Sequence, residues 1–211
     1  MPDGTELERD TLNRCFTVDL NYNPNADWNV DLKVPYVVRT HSTYGDFDPQ
    51  RPLPEPSVSH SSSLGDVKLI GSYQGFLPAH NLGLQLGVKL PTGDYGTAVD
   101  FNRGPQAGAP LDASLQPGTG STDIILGAYY YRPISENFDV IVNGQFQSAL
   151  ADVPDTVGTV AYLSPGATAQ LLPQLHVFGF VQVPVYSNLD GYQLFPRFTV
   201  SVGLSYAFGS G

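Results

Sequence analysis

The residues of this chain best equipped for chemistry are charged side chains set singly into segments that otherwise alternate between apolar and small polar residues. Seven of them share that setting: Asp19, Asp31, Lys33, Asp66, Lys68, Lys89 and Asp123. If these segments are neighbouring strands, five of the seven lie toward one end of the sheet: Lys33, Asp66, Lys68, Lys89 and Asp123. Charges gathered in a narrow space must pair or stay hydrated. Two interpretations are open: a polar constriction that filters solutes, or a salt-bridge network that fills the space.

The histidines offer little catalytic chemistry. They are scattered at His41, His60, His80 and His176, and no spacing suggests a metal site. His60 lies in a serine-rich run, but the chain has no GxSxG nucleophile elbow. His176 beside a serine of its polar face could form the Ser-His pair of a lipase, although nothing in the sequence fixes that geometry. The run at 118–122 lacks the GK[ST] ending of a phosphate loop. We therefore expect no enzyme, no metal and no cofactor.

The composition narrows the class of protein. The chain has 211 residues, a net charge of -10, 14% charged residues and 41% apolar residues, whereas ordinary soluble domains hold about 25% charged residues. So acidic a chain is a poor ligand for nucleic acid. The single cysteine, Cys15, excludes an internal disulfide and is expected to be a small buried residue. The chain is thus poor in charge without being rich in apolar residues.

Period-two alternation is the dominant pattern. In Leu82–Leu90, for example, apolar residues occupy the even positions and small or polar residues the odd ones. Such alternation predicts strands with one apolar face, and no run approaches the ~18 apolar residues of a membrane-spanning helix. The predicted strands are 11–22, 27–39, 65–77, 81–91, 121–132, 137–149, 157–171, 174–186 and 195–208.

The connections alternate between short and long. Short polar turns are predicted at 23–27, 78–81, 134–137 and 172–174, and longer loops at 40–64, 92–120, 150–156 and 187–194. Short turns at one end and long loops at the other are typical of an outer-membrane barrel. The polar face is mostly Gly, Ser, Thr, Asn and Gln, which suits a lumen with the apolar face turned to lipid. A soluble Greek-key sandwich remains the alternative.

The last predicted strand resembles the C-terminal signal by which the bacterial assembly machinery recognises outer-membrane barrels. Its matching residues are Gly203, Tyr206 and Phe208. That signal normally ends the chain on its aromatic residue, whereas Gly209, Ser210 and Gly211 follow here. Tyr22, Trp28, Tyr206 and Phe208 lie at strand ends, where an aromatic girdle is expected.

The last strand also sets an orientation and a strand count. If it ends in the periplasm, the short turns are periplasmic and loops 40–64 and 92–120 are extracellular. Bacterial single-chain barrels have an even number of strands. Nine visible strands therefore predict at least one strand upstream, together with the signal peptide that residues 1–14 do not provide. The expectation is one barrel domain over 1–211, truncated at its N-terminus.

Three prolines follow apolar-polar-apolar triplets near the predicted outer rim: Pro35, Pro91 and Pro184. Proline cannot donate to a strand ladder, so each is expected to end or bulge its strand. At Pro35 we expect a bulge, because the strand pattern continues after it.

The run from Gly83 to Gly96, with the run from Leu111 to Gln147, resembles a family of bacterial outer-membrane barrels named for the meta-cleavage pathway of phenol degradation. The most specific matches are two loop motifs that include Pro91, Thr92, Gly93, Asp94, Gly118 and Gly120. The resemblance implies an outer-membrane barrel for small hydrophobic or aromatic solutes. It implies no catalytic residues, and its partners would be the lipid bilayer, lipopolysaccharide and the assembly machinery.

Four hypotheses follow. The first is a passive outer-membrane channel for small hydrophobic or aromatic compounds. The second is a structural barrel with a sealed lumen, whose outer loops carry the interactions. The third is an outer-membrane enzyme, which needs a Ser-His or Asp-His pair within hydrogen-bond reach at the rim. The fourth is a soluble β protein.

We predict that the protein partitions into detergent, because a barrel in lipid exposes an apolar outer face. Phase partition with a cloud-point detergent measures this. The genomic sequence upstream of Met1 provides a second check, since a signal peptide and a further alternating strand are expected there. Recovery in the aqueous phase would support the soluble alternative.

Overall fold

The computed structural model is all-β and describes residues 6–46, 55–96, 98–151, 158–189 and 196–208. Its strands are β1 (Glu6–Tyr22), β2 (Trp28–Asp46), β3 (Ser57–Leu64), β4 (Val67–Tyr73), β5 (Leu82–Leu90), β6 (Asp123–Ser135), β7 (Phe138–Ala149), β8 (Gly158–Leu172), β9 (Leu175–Leu189) and β10 (Thr199–Tyr206). Parts of the predicted loops 40–64, 92–120, 150–156 and 187–194 lie outside the described residues, as do Gly209–Gly211. Among the described residues, no helix is long and apolar enough to cross a membrane.

The strands form one antiparallel sheet curled into a half-barrel, in the order β1-β2-β4-β5-β6-β7-β8-β9-β10, while β3 also pairs with β2. This up-and-down order places the connections after β1, β4, β6 and β8 at one end, which we call the turn end. The opposite end of the sheet, where β5 ends and β6 begins, we call the loop end. The predicted all-β, antiparallel fold is confirmed.

The register places the predicted charged residues of β1, β2, β4, β5 and β6 on the concave face. Asp19 pairs with Lys33, Lys33 with Lys68, Lys68 with Lys89, and Lys89 with Asp123. Paired residues in a sheet point to the same side, so this row of five charges crosses the concave face of five strands. The row lies at the loop end of β5 and β6, because Lys89 and Asp123 are terminal or nearly so in their strands.

The convex face is apolar and exposed. Within β6, Ile125 is 0% exposed on the concave face while its neighbour Leu126 is 46% exposed on the convex face. Large exposed apolar residues occupy the convex positions of the other strands too, among them Phe16, Val18, Leu20, Leu84, Leu86, Val142, Leu163, Val181, Val202 and Leu204. Soluble monomers rarely expose so continuous an apolar surface. This sheet therefore carries its apolar side chains on the outer face, whereas a soluble sandwich carries them on the inner face.

Aromatic rings on the concave face lie over glycines of the neighbouring strand. Tyr129 is paired with Gly83, and a Cβ added to that glycine would lie 2.3 Å from the tyrosine ring. The same relation joins Phe180 to Gly166, where the ring lies 2.2 Å from such a Cβ. Glycine in a strand often marks such a close approach. Each ring thus covers the backbone of the strand beside it.

The predicted loop 40–64 is instead partly strand. β2 continues to Asp46, and β3 pairs with it from Tyr36↔Leu64 to Thr43↔Ser57. The serine-rich β3 sequence carries no apolar alternation, so its strand character was not predictable from periodicity. Pairing with β2 stabilises it, as does the hydrogen bond from Ser59 Oγ to the Asp100 carbonyl oxygen, at 3.1 Å.

The expected bulge near Pro35 lies on the facing strands. β2 passes through Pro35 in regular register with Thr17 of β1. On its other side the ladder breaks between Lys33↔Lys68 and Tyr36↔Leu64, so the irregularity falls at Gly65–Asp66. The Gly65 amide then donates to the Pro35 carbonyl oxygen at 2.9 Å. Because Pro35 cannot donate a hydrogen bond, the bulge lies in the chain segment that faces it.

The long strands β1 and β2, with β3, continue past the charged row and form an extension above the loop end of β5, β6 and β7. Pro91 follows directly on β5, as predicted. β9 runs on past Pro184 to Leu189, and the predicted irregularity lies directly after the proline, where the register shifts between Tyr162↔Pro184 and Ala161↔Tyr186. Cys15, expected to be buried, is exposed in this part of β1. Its exposure follows from the position of β1 at the edge of the sheet.

We predict that Gly83→Ala lowers the free energy of unfolding by about 1–3 kcal/mol, because the added methyl overlaps the Tyr129 ring. Gly71→Ala is the matched control, since its Cβ would meet nothing nearer than the Leu86 carbonyl oxygen at 3.8 Å. Urea titration followed by fluorescence of the single tryptophan, Trp28, measures both. Equal destabilisation by the two variants would contradict the ring-over-glycine packing.

Candidate functional site

The centre of the site is a buried ion triad at the loop end of the concave face. Lys89 Nζ lies 2.9 Å from Asp123 Oδ2 and 3.4 Å from Asp66 Oδ2. The exposed fractions of Lys89, Asp66 and Asp123 are 3%, 8% and 5%. One cation held between two carboxylates leaves one net negative charge, which neighbouring hydrogen-bond donors must compensate.

Hydrogen bonds to the carboxylates provide that compensation for Asp66. Its Oδ1 accepts from the Gly93 amide at 3.1 Å, and its Oδ2 accepts from the Thr119 amide at 2.9 Å and from Thr119 Oγ1 at 2.7 Å. Asp66 lies in the break between β3 and β4, and both donor residues, Gly93 and Thr119, belong to the long connection between β5 and β6. The carboxylate therefore fastens that connection to the rim of the sheet.

Asp123 is compensated by Ser121 and Gln147. Ser121 Oγ donates to Asp123 Oδ1 at 2.6 Å, and Gln147 Nε2 donates to Asp123 Oδ2. Gln147 Oε1 accepts from Lys68 Nζ at 3.1 Å, so this amide links the triad to a second lysine. Four of the five predicted residues, namely Asp66, Lys68, Lys89 and Asp123, therefore belong to one network.

The fifth predicted residue, Lys33, belongs to a separate pair of contacts. Its Nζ lies 2.8 Å from Asp31 Oδ2 and also bonds Asp19 Oδ2. Lys33 stands in the same row as the triad lysine, but it binds two other carboxylates, one on β2 and one on β1. The single predicted cluster is thus two clusters, one buried and one partly exposed.

The motif residues build the connection that closes over the triad. The Gly118 amide donates to the Asp94 carbonyl oxygen at 2.7 Å, and a Cβ on Gly118 would lie 2.5 Å from the Gly93 carbonyl oxygen. Thr92 Oγ1 donates to the Gly65 carbonyl oxygen at 3.0 Å. Gly120 has a positive φ of 69° and lies against the Tyr95 ring. The motif residues therefore have a structural role, because only glycine lets the backbone at 118 pass so close to the backbone at 93.

The rest of the connection, residues 98–121, folds inward onto the extension. Arg39 Nη1 donates to the Gln116 carbonyl oxygen at 3.2 Å, and the ring of His41 lies 5.9 Å from that of Phe101. Burial lowers the pKa of His41, while the nearby Asp112 carboxylate opposes this effect and Arg39 adds to it. A small apolar core holds the segment together and consists of Phe101, Leu111 and Leu115. We call residues 98–121 the cap, because they cover part of the loop end.

A cavity of about 350 Å³ lies on the concave face between the charged row and the turn end. Its lining comes from seven strands and from Gln74, which follows β4, and it is polar apart from Ile141 and two aromatic rings: Asn21, Asn29, Asp31, Ser72, Gln74, Gln85, Tyr129, Ile141, Asn143 and Phe180. Three of these residues, Asp31, Gln85 and Asn143, have a buried side-chain oxygen without a hydrogen-bond partner among the described residues. The lining thus combines two aromatic rings with amide and carboxylate acceptors.

The histidines lie apart from the triad. His80 Nε2 bonds Asp27 Oδ1 at 3.0 Å at the turn end, and His60 Nδ1 bonds Thr40 Oγ1 at 3.1 Å in the extension. His176 pairs with Gln170 near the turn end of β9. Among the described residues, no group of His, Cys, Asp or Glu could hold a metal ion. That the protein is not an enzyme stays a prediction.

Sequence reasoning missed three members of the triad network: Thr119, Ser121 and Gln147. Alternation already placed Gln147 on the polar face, but a neutral amide gave no reason to single it out. Thr119 and Ser121 stand beside the glycines of the second loop motif. The available signal was that these two hydroxyl residues stand among the motif glycines and close before Asp123 in the sequence.

Comparisons with models of known protein families and with curated proteins find no match for this chain. The resemblance to barrels named for phenol degradation therefore stays a prediction.

We predict that Lys89→Met lowers the free energy of unfolding by about 3–5 kcal/mol, because it leaves two buried carboxylates without their cation. Lys33→Met is the control in the same row. Its side chain is 33% exposed, and the expected loss is about 0–1 kcal/mol. Urea titration followed by Trp28 fluorescence compares the two. The triad assignment is wrong if Lys33→Met proves the more damaging change.

Proposed function

We propose that this chain forms the wall of an outer-membrane β-barrel that lets small hydrophobic or aromatic compounds cross passively. The observation that carries the proposal is the reversed polarity of the sheet. The convex face is exposed and apolar, whereas the concave face holds a polar cavity. A lipid-facing wall around a polar lumen requires this arrangement.

The aromatic residues at the turn end support a membrane boundary there. Tyr22, Trp28 and Tyr206 are all exposed at strand ends of the turn end. Tyrosine and tryptophan prefer the interface between lipid and water. β5, with nine residues, has the ~9–11 residue length that a tilted strand needs to cross a bilayer. The turn end would face the periplasm, and the cap the outside.

The assembly signal agrees with that orientation. β10 ends at Tyr206, opposite Leu175 at the turn end. Phe208 follows as a 91% exposed side chain, and the ring centroids of Tyr206 and Phe208 lie 4.9 Å apart. An exposed aromatic pair at the end of the last strand is accessible to an assembly machinery. The proposed partners are that machinery, the bilayer and lipopolysaccharide, and the proposed location is the outer membrane.

The cavity suggests the class of solute. Its Phe180, Tyr129 and Ile141 side chains offer apolar contact to a ring, while Gln85 and Asn143 offer acceptors to a hydroxyl or amine. Ligand sites commonly combine an apolar lining with a few placed polar groups. Small aromatic compounds with one hydrogen-bond donor fit this chemistry best.

A sealed structural barrel is the second candidate. The burial of the triad and the inward fold of the cap favour it, since both obstruct the loop end. In that case the outer surface of the cap would carry the interactions. The two candidates differ in one measurable property, which is solute flux.

We predict that cells carrying the protein in their outer membrane take up a hydrophobic fluorescent amine, N-phenyl-1-naphthylamine, faster than cells without it. Asn143→Phe should reduce this uptake several-fold, because the ring fills the cavity. Val142→Phe is the control, since Val142 is the exposed neighbour on the same strand. Equal uptake with and without the wild-type protein would support the sealed barrel.

A further inference from the structure

The ladder between β8 and β9 is interrupted in the middle of the wall. Pairing runs as far as Leu163↔Val183 and resumes at Gly166↔Phe180 in the same register. Between them, Ser164 and Pro165 face Gln182 and Val181 without a ladder pair. Among the described residues, the ladders joining β4 through β8 are continuous at this depth.

Proline chemistry explains the gap. Pro165 has no N–H, so it cannot donate to the facing strand. Its pairing with Val142 of β7 is intact, which places the missing donor on the side of β9. A register shift between Ala161 and Tyr162 adds a bulge just above the gap. A bulge and a missing hydrogen-bond donor within a few residues weaken the pairing of β8 with β9.

The weak seam separates the cavity from the convex surface. On the concave side, Phe180 lines the cavity and stands at the edge of the gap. Its ring lies over Gly166, which has no side chain of its own to close the wall. On the convex side, Leu163, Val181 and Val183 are exposed. At this point the Phe180 ring lies between the cavity and the interrupted ladder.

We propose that apolar solutes leave the cavity sideways, through the seam between β8 and β9, with Phe180 as the side chain that moves aside. The proposal rests on the proposed function, because it needs a wall that borders lipid. Neutral, mostly apolar molecules are the class that would use this exit, since it opens into hydrocarbon. Charged solutes would be rejected by the cost of leaving water.

A disulfide across the gap tests the exit. Ser164→Cys and Gln182→Cys face each other in the register, and Cys15→Ser removes the native thiol. In cells that carry this variant, oxidation should abolish most of the protein-dependent uptake of N-phenyl-1-naphthylamine. Reduction should restore it, because the strands can then separate again.

The control disulfide lies in the same seam near the turn end. Gln170→Cys and His176→Cys are paired on the same face of the same two strands. Its oxidation should leave uptake unchanged. Uptake that is equal in the oxidised and reduced forms of the Ser164–Gln182 variant would overturn the lateral exit alone. No protein-dependent uptake in any reduced variant would overturn the proposed function as well.

Pro165→Val provides an independent variant without a cross-link. Valine restores an N–H that can donate across the gap, so the seam should close and uptake should fall. Pro133→Val, which makes the same exchange near the turn end of β6, should leave uptake unchanged. Wild-type uptake by a folded Pro165→Val protein would also overturn the proposal.

Discussion

One shared register determines the organisation of this protein. Because side chains alternate between the two faces of a strand, a slip of one residue would turn every polar side chain of that strand to the convex surface. The pairs from Asp19 on β1 to Asp123 on β6 stand in step across five strands. The apolar outer face, the charged row and the cavity are all consequences of that alignment.

The rim adds a second level of order. Where β5 and β6 end, Asp66, Lys89 and Asp123 bring the break in β3–β4, the loop motifs and β7 into one hydrogen-bonded network. The cap then lies against the extension of β1, β2 and β3 rather than in solvent. A buried network of charges is a weak source of net stability but fixes one arrangement of its partners. Here it fixes where a long connection lies.

Much of the fold and of the charged row was predictable from the sequence. The physical reasons for this also show where prediction failed. Alternating apolar residues located nine strands, and the same alternation placed Lys68 and Lys89 on the same face. It could not assign the facing of β6, where Ile124 and Ile125 are both apolar, until pairing of Lys89 with Asp123 settled it. β3 was missed because serine-rich strands carry no apolar period. The separation of Lys33 from the triad depends on distances that spacing alone does not give.

The rings that lie over glycines have a consequence for variation of the sequence. Tyr129 and Gly83 occupy one shared volume from two strands, so neither residue type is required at its own position. What the wall requires is one large and one minimal residue in that pair. Exchanging the two residues would move the ring to the neighbouring strand while the concave surface stayed covered. Substitutions at two such positions are therefore expected to occur together rather than singly.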